Sequence, residues 1–195
     1  MEDFVTSHIK KDHYRWRLVN GTLPLYERHL RSLRTFGMSV PLESWIRTRL
    51  EWTLDNLVSD NPDGVLCIDV SDDEMVTIHI DPARSAPRLS FDGAVVEGDG
   101  DYSDDSLGQP WTFDGTRLVH HGPVLSATNT LTRDLARTLG YTVVEGDEMA
   151  SADGDEERFR VSDEFYLMPQ GEPGKVTERL AACFDKLVKN ARSLN

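Results

Sequence analysis

The sequence predicts an α+β protein built as two subdomains. Segments that alternate apolar and polar residues are interleaved with segments whose apolar residues fall three and four apart, so strands and amphipathic helices mix along the chain. A stretch rich in Pro, Gly, Asp and Ser, Pro82 to Gly115, divides it. Charge divides the same way. Residues 1–52 hold nine basic and six acidic side chains, a net +3, while the whole chain carries −13, which leaves −16 on residues 53–195. The expected organisation is an N-terminal α/β subdomain over 1–82, an acidic Gly/Pro-rich linker or flap over 83–115, and a C-terminal α/β subdomain over 116–195.

Each element has its own signal. Phe4–Lys10 and His13–Val19 read as short strands, the second ending at Asn20-Gly21, the dipeptide that best tolerates positive φ in a tight turn. Pro24 opens a helix with Leu25, Tyr26, Leu30, Leu33 and Phe36 on one side and Gly37 as its stop. After Pro41 a second helix sets Leu42, Trp45, Ile46, Leu50, Leu54 and Leu57 in one stripe. Asn61-Pro62-Asp63-Gly64 is turn chemistry. Val65–Val70 and Met75–Asp81 flank a polar tetrad and predict an antiparallel hairpin. Arg88–Phe91 and Ala94–Glu97 are short strand candidates inside the linker, and residues 116–119 form another. A helix is expected over Thr130–Leu139, ended by Gly140, then a strand over Tyr141–Glu145, an acidic loop over Gly146–Glu157, a strand over Arg158–Met168 and a last helix over Glu172–Ser193.

Composition excludes several classes of function. With 195 residues and 38% hydrophobic side chains, the chain can close a core rather than stay a self-repelling coil. An excess of acid over base repels phosphate backbones, which argues against nucleic-acid binding. No run approaches the ~20 apolar residues of a membrane-spanning helix, and the first residues lack the layout of a secretory signal, so a cytoplasmic protein is expected. Cys67 and Cys183 lie in apolar stretches and are expected to be reduced.

Chemical motifs are sparse. The run from Glu97 to Asp105 is acidic enough for calcium, but counted from Asp99 the sixth and twelfth positions hold Asp104 and Pro110 where an EF-hand needs Gly and Glu. His120 and His121 are adjacent and would point to opposite faces of a strand. No metal site is therefore expected. Nucleophile elbows and phosphate-binding glycine loops are absent. Leu125 to Asp134 is more informative, because it runs from small polar residues straight into a helix start. Free N–H groups and Thr hydroxyls there suit a small anion such as phosphate; the alternative is an ordinary N-cap by Asn129 or Thr130.

Two longer stretches carry a family resemblance. RWRLVNGTLPLYERHLRSLRTFG (Arg15–Gly37) resembles the opening of the class IV pyridoxal-phosphate enzymes, which include branched-chain and D-amino-acid aminotransferases and aminodeoxychorismate lyase. VLSATNTLTRDLARTLGYTVVEGDEM (Val124–Met149) resembles their phosphate-binding turn, helix and strand, and Arg160 to Leu167 resembles their Ala-Asp-Glu-Val-Phe-Leu strand. The resemblance implies the fold of the D-amino-acid aminotransferase-like PLP-dependent enzymes, a homodimer, and a pyridoxal phosphate (PLP) held through Thr130, Leu131, Thr132 and Arg31. Four departures accompany it. In the phosphate turn the family's Gly is Thr130. The family's Schiff-base lysine has no counterpart, since the chain has no lysine between residues 12 and 174. The phosphate-binding arginine of the first helix corresponds to Ser32, with Arg31 one residue away. Several dozen residues of the family's middle portion are missing. The leading expectation is a shortened homologue, a pseudoenzyme without Schiff-base catalysis. The alternatives are an active lyase or aminotransferase using Lys175, and a non-enzymatic dimeric interaction module.

Overall fold

The computed structural model describes residues 11–56, 60–82, 108–146 and 156–193. The strands expected at 4–10, 88–91 and 94–97 and the acidic run 97–105 lie outside the described residues.

The first lobe is β1 (His13–Arg17), α1 (Tyr26–Thr35), α2 (Val40–Asn56), β2 (Val65–Val70) and β3 (Val76–Asp81). Its sheet is antiparallel in the order β1-β2-β3, with Trp16 opposite Leu66 and Leu66 opposite Ile80. Because side chains alternate across a strand, Tyr14, Trp16, Leu66, Ile68 and Val70 face α1 and α2, where Leu30, Leu33, Ile46 and Leu50 complete a core. Burial of each such side chain stabilises by ~1.5–3 kcal/mol. The expected Asn-Gly turn forms: Asn20 and Gly21 have φ of 47° and 76°, and Val19 bridges Thr22.

Helix α2 buries Glu43, Ile46, Leu50 and Thr53, a stripe rotated slightly from the expected one. Trp45, one position before Ile46 and so ~100° around the helix, is 49% exposed rather than in the core. Helices α1 and α3 end alike. Gly37 and Gly140 adopt φ of 86° and 90°. Their N–H groups reach Arg34 and Arg137, and the residues after them, Met38 and Tyr141, reach back to Leu33 and Ala136, the double bond of a Schellman stop.

The second lobe is β4 (Trp111–Phe113), β5 (Arg117–His121), α3 (Ala127–Thr138), β6 (Thr142–Gly146), β7 (Glu157–Ser162), β8 (Tyr166–Pro169) and α4 (Lys175–Ser193). Its sheet runs β6-β5-β4-β7-β8, with β5 and β6 parallel and the rest antiparallel. Parallel neighbours need a crossover, which α3 supplies. Two expectations change here. Trp111–Phe113, inside the stretch read as linker, is the central strand of the sheet, and Trp111 is fully buried. The expected strand 158–168 is a hairpin, because Phe165 adopts φ 62° and its N–H closes a turn on the Ser162 carbonyl at 2.9 Å. Leu131, Ala136, Val176, Leu180 and Phe184 of α3 and α4 pack on Trp111, Phe159 and Val161. Both cysteines are free. Among the described residues no helix is long and apolar enough to cross a membrane.

Candidate functional site

The lobes meet where the polar face of the first sheet approaches the β7–β8 turn. Alternation that buries Tyr14 and Trp16 turns His13, Arg15 and Arg17 the other way. The Arg17 N–H donates to the Asp163 carbonyl at 3.0 Å, and Arg15 Nε donates to Glu164 at 2.6 Å. Glu164 is buried, 3% exposed, so removing Arg15 would leave it buried without its partner. Burial alone would lower the Arg15 pKa; its hydrogen bond to Glu164 and the neighbouring Cys67, Glu164 and Asp81 outweigh it and raise it.

The Asp163 side chain lies at the first turn of α3. One carboxylate oxygen accepts from the Thr128 N–H at 2.9 Å and from its hydroxyl at 2.6 Å. The other is 4.0 Å from His29 Nδ1. His29 is fully buried, with its ring stacked on Trp16 at 4.5 Å. Burial lowers its pKa to about 4, against the opposite pull of Asp163, so it is a neutral imidazole near pH 7.

The residues singled out from the sequence fall around this junction unevenly. Helix α3 begins at Ala127, three residues earlier than expected. Its cap is Ser126, whose side chain accepts from the Asn129 N–H, rather than Asn129 or Thr130. Asn129 turns inward and accepts from Trp111 Nε1 at 2.8 Å. Thr130 is therefore already inside the helix: its N–H donates to the Ser126 carbonyl, and its hydroxyl donates to Ala127 and accepts from Arg28 at 3.3 Å. Leu131 belongs to the second core. Thr132 is fully buried, its hydroxyl donating to the Thr128 carbonyl.

Arg31 is exposed, and its Nε donates to the Glu27 carbonyl of its own helix. Arg28, one turn earlier, is the arginine that reaches α3, donating to Asp134 at 2.8 Å. Burial alone would raise the Asp134 carboxyl; Arg28 and Arg133 hold it below its usual range.

Lys175 opens α4 and is exposed. The first turn of that helix is held by Glu157, which accepts from the N–H groups of Val176 and Thr177 at 3.1 and 3.0 Å. Glu157 and Asp163 are six residues apart along β7 and its turn, ~20 Å at ~3.3 Å per residue, so Lys175 starts at the far end of β7 from the junction. Lys11 packs over the Tyr14 and Phe36 rings on the helix side of the first sheet. The two adjacent histidines diverge as expected: His120 packs on Trp111, and His121 bonds Thr112.

The fold this frame defines is that of solved aminodeoxychorismate lyases and aminotransferases. The chain superposes on 4-amino-4-deoxychorismate lyase from Pseudomonas aeruginosa with a TM-score of 0.63 at 16% identity, over 94% of this chain and 92% of that one. A hypothetical aminotransferase from Mycobacterium tuberculosis, in its apo form, gives 0.59 at 15% identity over 95% and 90%. An aminotransferase from Brucella abortus bound to PLP gives 0.51 at 13% over 94% and 91%. This is the fold that the resemblance to the class IV enzymes implies. No family profile matches the chain, and no curated protein sequence matches it.

The cofactor of such enzymes needs donors for its phosphate and an amine for its aldehyde. At α3 the described residues do not fit it. The Thr128 N–H and hydroxyl are engaged by Asp163 and the Asn129 N–H by Ser126, and a phosphate placed there would meet the buried Asp163 carboxylate.

Proposed function

We propose that this chain keeps the class IV fold without Schiff-base catalysis. The observation that supports this reading is the Asp163 carboxylate seated on Thr128 in the first turn of α3, just ahead of Thr130–Thr132, through which the resemblance expects a phosphate to be held. The sequence adds that no lysine lies between residues 12 and 174. Loss of a Schiff-base amine removes a covalent path that surface changes cannot restore, at a cost of several orders of magnitude in rate. In this reading the chain works in the cytoplasm as a homodimer.

The test is incubation with PLP, a visible spectrum, borohydride reduction and peptide mass spectrometry. The expected result is no stoichiometric pyridoxyl-lysine. One adduct per chain at Lys175, lost in Lys175→Ala, would overturn the reading in favour of an active lyase or aminotransferase.

A second reading, the dimeric interaction module, is favoured by one surface. Trp45 and Trp52 are 49% and 44% exposed and line a groove of about 580 Å³ with Val76 and Ile78 of the edge strand β3. Clustered exposed aromatics mark interaction surfaces more often than isolated ones do. Under this reading the groove is where a second copy docks, and a Trp45→Ala/Trp52→Ala double variant elutes as a monomer in size-exclusion chromatography while the parent elutes as a dimer.

A further inference from the structure

The polar face of the first sheet brings together a thiol, an imidazole and a carboxylate. Cys67 of β2 is directly opposite His79 of β3, and Asp81 follows two residues later on the same face. One potential ligand atom from each lies within 4.8 Å of the other two. Cys67 Sγ is 3.5 Å from Asp81 Oδ2, and His79 Nε2 is 3.5 Å from Asp81 Oδ1. A tetrahedral zinc site with bonds of about 2.0–2.3 Å sets its ligand atoms about 3.3–3.8 Å apart; Asp81 already stands at that span from Cys67 through Oδ2 and from His79 through Oδ1, so a small side-chain rotation brings one oxygen into line with both. We infer that Cys67, His79 and Asp81 form a binding site for a divalent transition cation of the zinc type, with a fourth position open to water.

The surroundings favour the ion. Asp69 Oδ2 is 3.7 Å from His79 Nδ1, the far ring nitrogen. A carboxylate on that side of the ring is placed as the outer partners of ligating histidines are, leaving Nε2 to face the ion. Asp69 is held in turn by His13 Nδ1 at 2.6 Å, its neighbour across β1 and β2.

Charge balances. A thiolate and a carboxylate neutralise a divalent cation, and Arg15, 3.6 Å from Asp81, is paired with Glu164 at 2.6 Å. The donor set, one sulfur, one nitrogen and one oxygen, selects zinc-like ions over calcium or magnesium, which want oxygen alone. His79 and Asp81 are each about two-fifths exposed, which gives an entry path, while buried Cys67 closes the inner side. On binding, the Cys67 thiol proton passes to solvent and a sulfur–metal bond replaces the S–H bond; nothing is oxidised or reduced. Gly64 fixes the end of β3, because a Cβ there would overlap the Asp81 carbonyl.

The test is titration of the reduced, chelator-treated full chain with Co²⁺, followed by displacement with Zn²⁺. One equivalent should give a thiolate-to-cobalt charge-transfer band in the near ultraviolet, abolished in Cys67→Ala and unchanged in Cys183→Ala. Asp69→Asn should weaken Co²⁺ binding about 10–100-fold, and His79→Gln, which removes a ligand, by more. No band at saturating Co²⁺, or a band that survives Cys67→Ala, would overturn the site. Cys67 is buried and its variant could misfold, so the His79→Gln chain supplies the independent check: native circular dichroism with unchanged affinity also overturns it.

Discussion

Replacing Asp163 by alanine removes an acceptor that two donors of fully buried Thr128 share. Hydrogen bonds to an ionised group contribute about 1.5–3 kcal/mol each, and a carboxylate at a helix start adds about 0.3–1 kcal/mol. Asp163→Ala should therefore cost about 4 kcal/mol, a large share of a domain's ~5–15 kcal/mol. Asn keeps an oxygen for Thr128 but loses the charge, so Asp163→Asn should cost about 2 kcal/mol. Urea unfolding at pH 7, followed by far-ultraviolet circular dichroism, reads the difference. With a slope of about 2 kcal/mol/M, the midpoint should fall by about 2 M for Ala and about 1 M for Asn. A fall below about 0.5 M for Ala, or equal falls for the two variants, would refute the view that an internal carboxylate satisfies the start of α3.

Two further outcomes follow from polar groups inside the fold, His29 buried and Glu157 half-buried. Burial lowers the His29 pKa from 6.5 to about 4. Between those values the unfolded chain binds a proton that the folded chain does not. The His29 contribution is therefore complete above pH ~6.5 and declines as pH falls toward 4, by up to about 3 kcal/mol. Urea midpoints at pH 7 and 4.5 should differ less in His29→Phe than in the parent; an identical pH dependence would contradict the assignment. Glu157→Ala removes the acceptor of the first turn of α4 and should destabilise by about 3 kcal/mol. Hydrogen exchange at Val176 and Thr177 should rise in that variant, and unchanged protection there would show that the cap contributes nothing.

Much of the fold was legible from local chemistry. Asn20-Gly21 dictates its turn, Gly37 and Gly140 stop their helices, and alternation along 65–81 marks the β2–β3 hairpin. What local pattern could not show depends on packing. Trp111–Phe113 is too short to stand out between Gln109-Pro110 and Asp114-Gly115, and only its buried position between β5 and β7 makes it a strand. Ser126 was an equally good cap, but choosing it over Asn129 required knowing that Asn129 turns inward to Trp111. The site was less legible still. Arg28 rather than Arg31 reaches α3, because which helical arginine faces the second lobe depends on how the lobes dock. Cys67 and His79 are twelve residues apart on different strands and make no contiguous motif. The shared parity of Cys67 and Asp69 on one strand and of His79 and Asp81 on the next was the available signal, and register was needed to read it.

A basic first lobe beside an acidic second can offer an anion pocket, dock its basic face on an acidic one in the same chain or in a partner, or simply present solvated arginines. Arg15 and Arg28, from the basic first lobe, end on Glu164 and Asp134 of the acidic second. The starts of both second-lobe helices are likewise satisfied from within, α3 by Asp163 and α4 by Glu157, one at each end of β7. A phosphate entering at α3 would have to displace a buried carboxylate and leave it without its Thr128 donors, a penalty of the size worked out for Asp163→Ala. The cations and dipoles that would bind an anion are instead engaged by carboxylates of the chain itself, and in doing so they join the two lobes.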